Sequence, residues 1–282
     1  MAGSTATGSQ QQEPMRYQPG RDARWLLLRP WITIPRLIQI IWALLGLVVS
    51  LLIRGNSSDP DVQRQLARTL LRTLTNLGPC FIKVGQALST RPDLIRRDWL
   101  DELTKLQDDL PAFSHAIALK TVEEELGAPV TQLFEEFPDQ PVAAASLGQV
   151  YRARLHGQHW VAVKVQRPNL PFILRRDMVL IRSLGVLVAP LLPLNLGFGL
   201  GEIIDEFGRS LFEEIDYERE ADNAERFSAL FADNPAVTIP RVERMLTSRR
   251  VLTTSWIHGT KLRDRQELRA QRLDPSALIR TV

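Results

Sequence analysis

The stretch from Pro141 to Pro168 constrains the fold of this chain more than any other, because its apolar and polar residues alternate as they do in short β-strands. The pattern predicts a first strand running into residues 143–146, a second over 148–155 and a third over 160–166. Residues 156–159, which include a glycine, form the hairpin between the last two strands. We therefore expect a small antiparallel sheet in the middle of the chain.

A single lysine, Lys164, stands in the middle of the β-branched third strand. This layout resembles the hairpin of protein kinases, in which a glycine-rich loop covers the ATP phosphates and a strand lysine reaches the α- and β-phosphates. In this chain the corresponding loop has alanines where the first two glycines would be. A Cβ atom there restricts φ and keeps the backbone farther from a phosphate than glycine would.

Helices are predicted on both sides of the sheet. Asp59 and Pro60 open one helix as its N-cap and first-turn residues. The next helix begins near Cys80 and carries Lys83 and Gln86 on one face, while Gly85 allows another element to approach closely. The remaining predicted helices cover residues 98–108, 114–126, about 129–136, 177–189, 202–212 and 217–231.

Four ordered blocks carry a resemblance to a known family. They read FIKVGQALSTRPDLI, AAASLGQVYRARL, VAVKVQRP and EEIDYEREADNAERF. In this order they are similar to the UbiB/AarF family of atypical kinase-like proteins, which combines a KxGQ helix, an alanine-rich loop and an ExD motif. The resemblance implies an α+β fold, in which a helical KxGQ extension precedes a protein-kinase-like small lobe built from an antiparallel sheet and an αC-type helix. The large lobe would be largely absent.

The resemblance also implies roles for individual residues. Lys164 would form an ion pair with Glu214, although the run of acids around it does not by itself single out one partner. The KxGQ helix would cover the pocket and block the groove in which a protein kinase lays a peptide, which favours a small or lipid-like substrate or ATP hydrolysis itself. The residues expected to cover the pocket are Lys83, Gly85, Gln86 and Asp216, and those expected to contact the nucleotide, besides Lys164, are Ala143, Ala144, Ala145, Ser146, Gly148 and Val150.

Two more strands are predicted near residues 241–246 and 250–256. The segment after them stands where kinases place the linker whose backbone contacts adenine, so Trp256 and Ile257 are expected to contact the nucleotide. The family usually has an acidic residue where Ser255 stands here. This departure removes a side-chain contact but leaves backbone hydrogen bonds possible.

The N-terminal part is predicted to be a disordered tail over residues 1–30, followed by an apolar helix over 31–58. Its most apolar part, residues 37–53, is at the lower edge of the roughly 17–25 residues needed to span a bilayer. The helix therefore spans a membrane, docks at a membrane interface, or packs against the domain or a partner. We expect membrane association at the cytoplasmic face, in a bacterial inner membrane or an organellar equivalent.

Neither an H-x-D…N nor a D-F-G motif occurs before Val282, and protein kinases use these residues to activate the acceptor and to bind Mg²⁺. We therefore interpret the chain as the N-terminal part of a longer enzyme, with no metal ligands of its own. The expected segments are a helical extension over 59–140, the small lobe over 141–262 and the truncated start of the large lobe over 263–282, with a helix opening at Asp274.

Composition adds few constraints on partners. The formal net charge of +3 gives no indication of a nucleic-acid partner, and one cysteine rules out an internal disulfide framework. With ATP and Mg²⁺ as cofactors, the resemblance implies an ATPase or kinase that supports isoprenoid-quinone metabolism at a membrane, with a membrane lipid or quinone precursor and quinone-biosynthesis proteins as partners. The alternatives are a non-catalytic nucleotide- or lipid-binding module and a membrane scaffold.

Overall fold

The computed structural model describes residues 16–93, 95–107, 110–157, 159–191, 199–260, 265–271 and 273. The helix expected at Asp274 lies outside these residues. The chain divides into two compact units, Met1–Trp42 with Pro171–Glu214 and Ala43–Leu170 with Ile215–Val282. These units differ from the linear order of segments predicted from the sequence, because the apolar helix and the predicted small lobe each contribute residues to both.

Helices precede, interrupt and follow a small sheet. The α-helices are α1 (Pro19–Leu27), α2 (Pro30–Arg54), α3 (Pro60–Leu77), α4 (Pro79–Ser89), α5 (Arg97–Thr104), α6 (His115–Leu126), α7 (Val130–Leu133), α8 (Leu170–Val188), α9 (Leu200–Glu214), α10 (Tyr217–Leu230) and α11 (Arg265–Ala270). The strands are β1 (Ala143–Ala144), β2 (Gly148–Arg154), β3 (Trp160–Gln166) and β4 (Val251–Ser255), and short 3₁₀ helices cover Lys105–Gln107, Ala189–Leu191 and Arg244–Leu246.

Helix α1 corrects the prediction that residues 1–30 are a disordered tail. Its Leu26 is 1% exposed, and its buried Asp22 forms an ion pair with Arg175 of α8 at 3.0 Å. Just before it, the Tyr17 hydroxyl donates a hydrogen bond to Asp205 of α9 at 2.9 Å. These tertiary contacts stabilise a helix of 9 residues, which would be marginal by itself.

The unit that contains α1 also holds a buried ion pair. The Arg36 guanidinium of α2 donates to both carboxylate oxygens of Asp177 on α8, at 3.0 and 2.6 Å. The two side chains are only 9% and 0% exposed. This forked contact fixes the first half of α2 against α8.

The layer of α3, α4 and α5 begins as the sequence predicts. Asp59 caps α3 by accepting a hydrogen bond from the Asp61 N–H at 2.9 Å, and Pro60 is its first residue. Gly78, with φ of 94°, ends α3 and immediately precedes α4, as a residue without a Cβ can do at low cost. Cys80 is fully buried within this layer, as expected for a free cysteine that packs as a small apolar residue.

The sheet is antiparallel in the order β1-β2-β3-β4, which confirms the three strands predicted between residues 141 and 168. Gly157, at φ of 102°, turns the chain between β2 and β3. The strand predicted over 241–246 is wrong: only Val242 forms a bridge, to Thr254, and a 3₁₀ helix follows at Arg244–Leu246. One isolated bridge is not enough to extend the ladder along this segment.

One face of the sheet forms a hydrophobic core of its unit. Tyr151, Ala153, Val161, Val163 and Val165 pack there with residues from α6 and α7. Because side chains alternate along a strand, the intervening residues of β2 and β3 face the other way.

Helix α6 is also joined to the region before β4. Its Glu125 accepts hydrogen bonds from the Ser248 hydroxyl at 2.7 Å and from the Arg250 guanidinium at 2.8 Å. Burial alone would raise the pKa of Glu125, but these two donors hold the pKa below its usual range.

Candidate functional site

The candidate site lies on the face of the sheet opposite the core. Val150 of β2 and Lys164 of β3 are partners across the strand pair, and Ala162 lies two residues before the lysine on the same face. At the level of β4, Leu252 on this face packs with Tyr217 and Ala221 of α10. The sheet thus carries one helix layer on its core face and α10 on the face that holds the lysine.

The Lys164 ammonium donates to both carboxylate oxygens of Glu220, at 2.9 and 2.7 Å. The predicted ion pair between Lys164 and Glu214 is therefore wrong. Glu214 is the last residue of α9 and its side chain is exposed, whereas Glu220 lies in the first turns of α10, the helix that packs on this face. The exposed fractions of the paired side chains are 30% for the lysine and 40% for Glu220.

The break between α9 and α10 decides which acid meets the lysine. Asp216 is the N-cap residue of α10, so the helix begins at Tyr217 and presents Glu220 three residues later on the same side as Tyr217. The Tyr217 ring lies 4.6 Å from the lysine nitrogen, measured to the ring centroid. Gln166, at the end of β3, fixes the break by donating to the Ile215 carbonyl at 2.6 Å.

The sequence already predicted a helix start at residue 217; what it lacked was the packing of this helix on the lysine face, which brings Glu220 to Lys164. Asp216 itself is buried at 6% exposure, and its Oδ1 makes no hydrogen bond to the described residues. Its predicted role in covering the pocket stays a prediction.

The alanine-rich loop connects β1 to β2. Ala143 and Ala144 pair with Val150 and Gln149, and the Ala145 N–H donates to the Gly148 carbonyl at 2.8 Å. The loop is therefore a tight turn closed by its own backbone, and Ser146 within it is 2% exposed.

Packing explains why residue 148 is a glycine, which the resemblance to kinases did not suggest. A Cβ added there would lie 2.6 Å from both the Tyr217 hydroxyl and the Val165 carbonyl oxygen. The missing side chain makes room for α10 at this end of the sheet.

The predicted adenine linker follows β4 directly. The Trp256 N–H donates to the Trp160 carbonyl at 2.9 Å, so it extends the sheet and is not available to a ligand at the same time. Ile257, 41% exposed, is the next residue. On the lysine face, the Arg152 guanidinium lies 4.3 Å from the Trp160 ring and 5.2 Å from the Trp256 ring, an arrangement that the sequence did not predict.

The KxGQ residues belong to α4, which packs against α3 and α5. A Cβ on Gly85 would collide with the side chains of Leu106 and Leu74, so this glycine permits the close packing of the layer. The Gln86 amide donates to the Leu106 carbonyl at 2.8 Å. Lys83 lies on the same helix and is partly exposed. Coverage of the nucleotide pocket by this helix stays a prediction.

Within the described ranges, no group of three or more His, Cys, Asp or Glu side chains is arranged to hold a metal ion. The candidate site consists of the Lys164–Glu220 pair, the alanine-rich turn and the start of the linker.

Comparison with known proteins gives a family match over much of this region. Residues 105–282 match the ABC1 atypical kinase-like domain. An uncharacterized protein of Synechocystis sp. (strain ATCC 27184 / PCC 6803 / Kazusa) is 47% identical over 267 residues, which is 94% of this chain and 47% of that protein.

Two chloroplastic proteins of Arabidopsis thaliana are also similar. Protein ACTIVITY OF BC1 COMPLEX KINASE 1 is 43% identical over 87% of this chain and 36% of its own length. Protein ACTIVITY OF BC1 COMPLEX KINASE 3 is 39% identical over 94% of this chain and 37% of its own length. The chain therefore spans less than half the length of these relatives.

A solved structure of a Mycobacterium tuberculosis protein in complex with erythromycin is 29% identical and matches with a TM-score of 0.47. The match covers 72% of this chain and 51% of that one.

Proposed function

Because the chain belongs to the ABC1/AarF family of atypical kinase-like proteins, we propose that it binds ATP on the lysine face of its sheet and is part of an atypical kinase or ATPase. The wider activity would support isoprenoid-quinone metabolism at a membrane. Residues outside this chain would supply the acceptor-activating Asp and the Mg²⁺ ligands, since neither kinase motif for them occurs in the sequence.

The observation that carries the proposal is the forked contact between Lys164 and Glu220. A partly exposed lysine held by a carboxylate from the neighbouring helix has the geometry that protein kinases use to orient a lysine toward the α- and β-phosphates. The same face offers Val150 and Ala162 as an apolar surface for a base.

The alanine-rich turn fits a phosphate ligand less closely than a glycine-rich loop does. Its Cβ atoms keep the backbone farther from a phosphate, and Gly148 is already packed against Tyr217. The Arg152 guanidinium on this face lies against the Trp160 and Trp256 rings, so Lys164 would be the main positive charge available to the phosphates. We expect ATP affinity to depend strongly on that one side chain.

A titration with a fluorescent ATP analogue tests this proposal on the full 282-residue chain. Lys164→Met should weaken binding by about tenfold or more, because a hydrogen bond to a charged group contributes about 1.5–3 kcal/mol. The matched control is Lys120→Met, since Lys120 is 76% exposed on α6, on the core side of the sheet. The proposal fails if the wild-type chain shows no saturable binding, or if both variants bind as the wild type does.

Membrane attachment would come from α2. It is the one described helix that is long and apolar enough to cross a membrane, with a mean hydropathy of 2.3 over its most apolar window. Trp31, Ile38, Trp42, Leu45 and Leu52 are all at least 47% exposed along one side of it. A continuous apolar stripe of this kind favours a lipid surface.

The ion pair between Arg36 and Asp177 favours docking in the membrane plane over a span. It holds the start of α2 against charged residues of α8. The part beyond Arg36, Leu37–Ile53, is about 25 Å long at 1.5 Å per residue, against roughly 30 Å of hydrocarbon. We therefore propose that α2 lies at the interface with its exposed stripe in the lipid.

Sedimentation with vesicles that contain anionic lipid tests the membrane proposal. Trp42→Glu should reduce binding of the full chain, because it places a charge on the exposed stripe. Met245→Glu is the control, since Met245 is 92% exposed outside α2. Equal sedimentation of both variants with the wild type would contradict this role of α2.

A further inference from the structure

Arg167 links the alanine-rich turn to the segment that precedes α6. Its Nε donates to the Ala145 carbonyl at 2.9 Å, and its Nη2 donates to the Pro111 carbonyl at 2.7 Å. Its backbone N–H donates to the Leu147 carbonyl at 2.9 Å. Arg167, the residue directly after β3, thus binds two carbonyls of the turn and one of the segment that precedes α6.

Gln149 makes a second link between the same two segments. Its side-chain carbonyl accepts a hydrogen bond from the Phe113 N–H at 3.0 Å. Its amide nitrogen donates to the Tyr151 hydroxyl at 2.5 Å. Gln149 is fully buried, so losing these partners would leave its polar atoms without water to replace them.

The chemistry of Arg167 suits a fixed link. Its guanidinium is planar and reaches two carbonyls in different directions, which a lysine ammonium on one flexible stem cannot do with the same geometry. Burial lowers the pKa of the Arg167 guanidinium, which reflects how far this charge is withdrawn from water.

We propose that Arg167, supported by Gln149, is a positioning residue that fixes the alanine-rich turn against residues 111–113, so that the turn does not open and close as a free flap. The turn would then present a preformed surface to a nucleotide. Movement of residues 111–113 would change the position of the turn. The consequence for nucleotide binding rests on the function proposed above, whereas the rigidity of the turn does not.

Hydrogen–deuterium exchange of the full chain without nucleotide tests the positioning role. In Arg167→Lys, amides of residues 143–149 should exchange about tenfold faster, since a hydrogen bond from a charged group is lost and the turn opens more often. Exchange in β3 and α6 should stay as in the wild type. Arg167→Met serves as a second variant that removes the charge as well.

The matched control is Arg250→Lys. Arg250 directly precedes β4 and is also partly buried, but its guanidinium holds Glu125 of α6 instead of the turn. It should leave exchange of residues 143–149 unchanged. The proposal is overturned if Arg167→Lys exchanges like the wild type, or if its faster exchange extends equally through β3 and α6, which would indicate general destabilisation.

Titration with a fluorescent ATP analogue then separates the two proposals. If both hold, Arg167→Lys weakens binding about threefold or more at unchanged melting temperature, because the turn is no longer preformed. If the wild type binds no nucleotide, the proposed function fails, while the exchange result still decides whether Arg167 fixes the turn. Unchanged nucleotide affinity beside faster exchange would refute the link between the turn and binding.

Discussion

The ion pair between Lys164 and Glu220 allows a test for which the sequence and the structure predict different outcomes. Replacing Glu220 by Gln keeps the size of the side chain and one acceptor oxygen but removes the charge that faces the lysine. The sequence-based pairing with Glu214 predicts no effect on the lysine. The structure predicts a measurable one.

The exposure of the pair sets the size of the effect. At 30% and 40% exposure, water screens both groups, so the pair contributes about 0.5–1 kcal/mol to stability instead of the 3–5 kcal/mol lost on breaking a buried pair. A loss of 1 kcal/mol lowers the melting temperature of a domain of 150–250 residues by about 2–4 °C. If the same free energy is lost from holding the lysine in its binding orientation, the affinity for an ATP analogue falls about two- to fivefold.

Thermal unfolding and nucleotide titration of the full chain measure both effects. Glu218→Gln is the matched control, because Glu218 lies in the same first turn of α10 but is exposed. It carries the same helix-dipole contribution without the contact to Lys164. The difference between the two variants should shrink in about 1 M salt, where the Debye length is about 3 Å.

Equal melting temperatures and equal affinities for the two variants at low salt would refute this reasoning. So would a loss that does not change with salt, because that result would point to packing instead of charge.

Three further predictions concern stability and are read from chemical unfolding of the full chain. Gly85→Ala should cost about 1–3 kcal/mol, since its Cβ collides with two leucines, whereas Gly46→Ala, with open space around it, should be neutral or stabilising; equal effects would exclude the collision. Asp177→Leu should cost about 3–5 kcal/mol, because it removes the carboxylate that the buried Arg36 guanidinium binds, and adding Arg36→Met should recover part of this loss; a double variant as unstable as the single one would argue against a role for the buried charge. Hydrogen bonds from a serine and an arginine near β4 hold the folded-state pKa of Glu125 below its unfolded value. Its contribution to the free energy of unfolding is therefore present above about pH 4.5 and is lost as pH falls through the folded pKa. Between pH 7 and pH 3 the Glu125→Gln variant should lose less stability than the wild type does, and identical pH profiles would contradict the pKa shift.

The sequence was sufficient for local structure and for the family. Alternation of side chains predicted β2, β3 and the hairpin between them, and capping residues predicted the start of α3. The four ordered blocks led to the family that the domain match then showed. These features depend on neighbouring residues, so a pattern along the chain contains them.

The sequence failed where contacts between distant segments decide. It chose Glu214 as the lysine partner, because the spacing of acids does not show which of them the packing of α10 on the sheet brings to the lysine. It predicted no helix at Pro19–Leu27, which is ordered by Tyr17 and Asp22 through partners on α8 and α9. It extended a strand over 241–246, where only one bridge forms.

What the sequence alone determined is the set of elements, the family and the presence of one lysine in a buried strand. Only the tertiary structure decided which acid meets that lysine and which residues hold the alanine-rich turn. The physical reason is that Glu220 and Arg167 act through a few hydrogen bonds between segments far apart in the chain. Such bonds leave no periodic signal in the residues that make them.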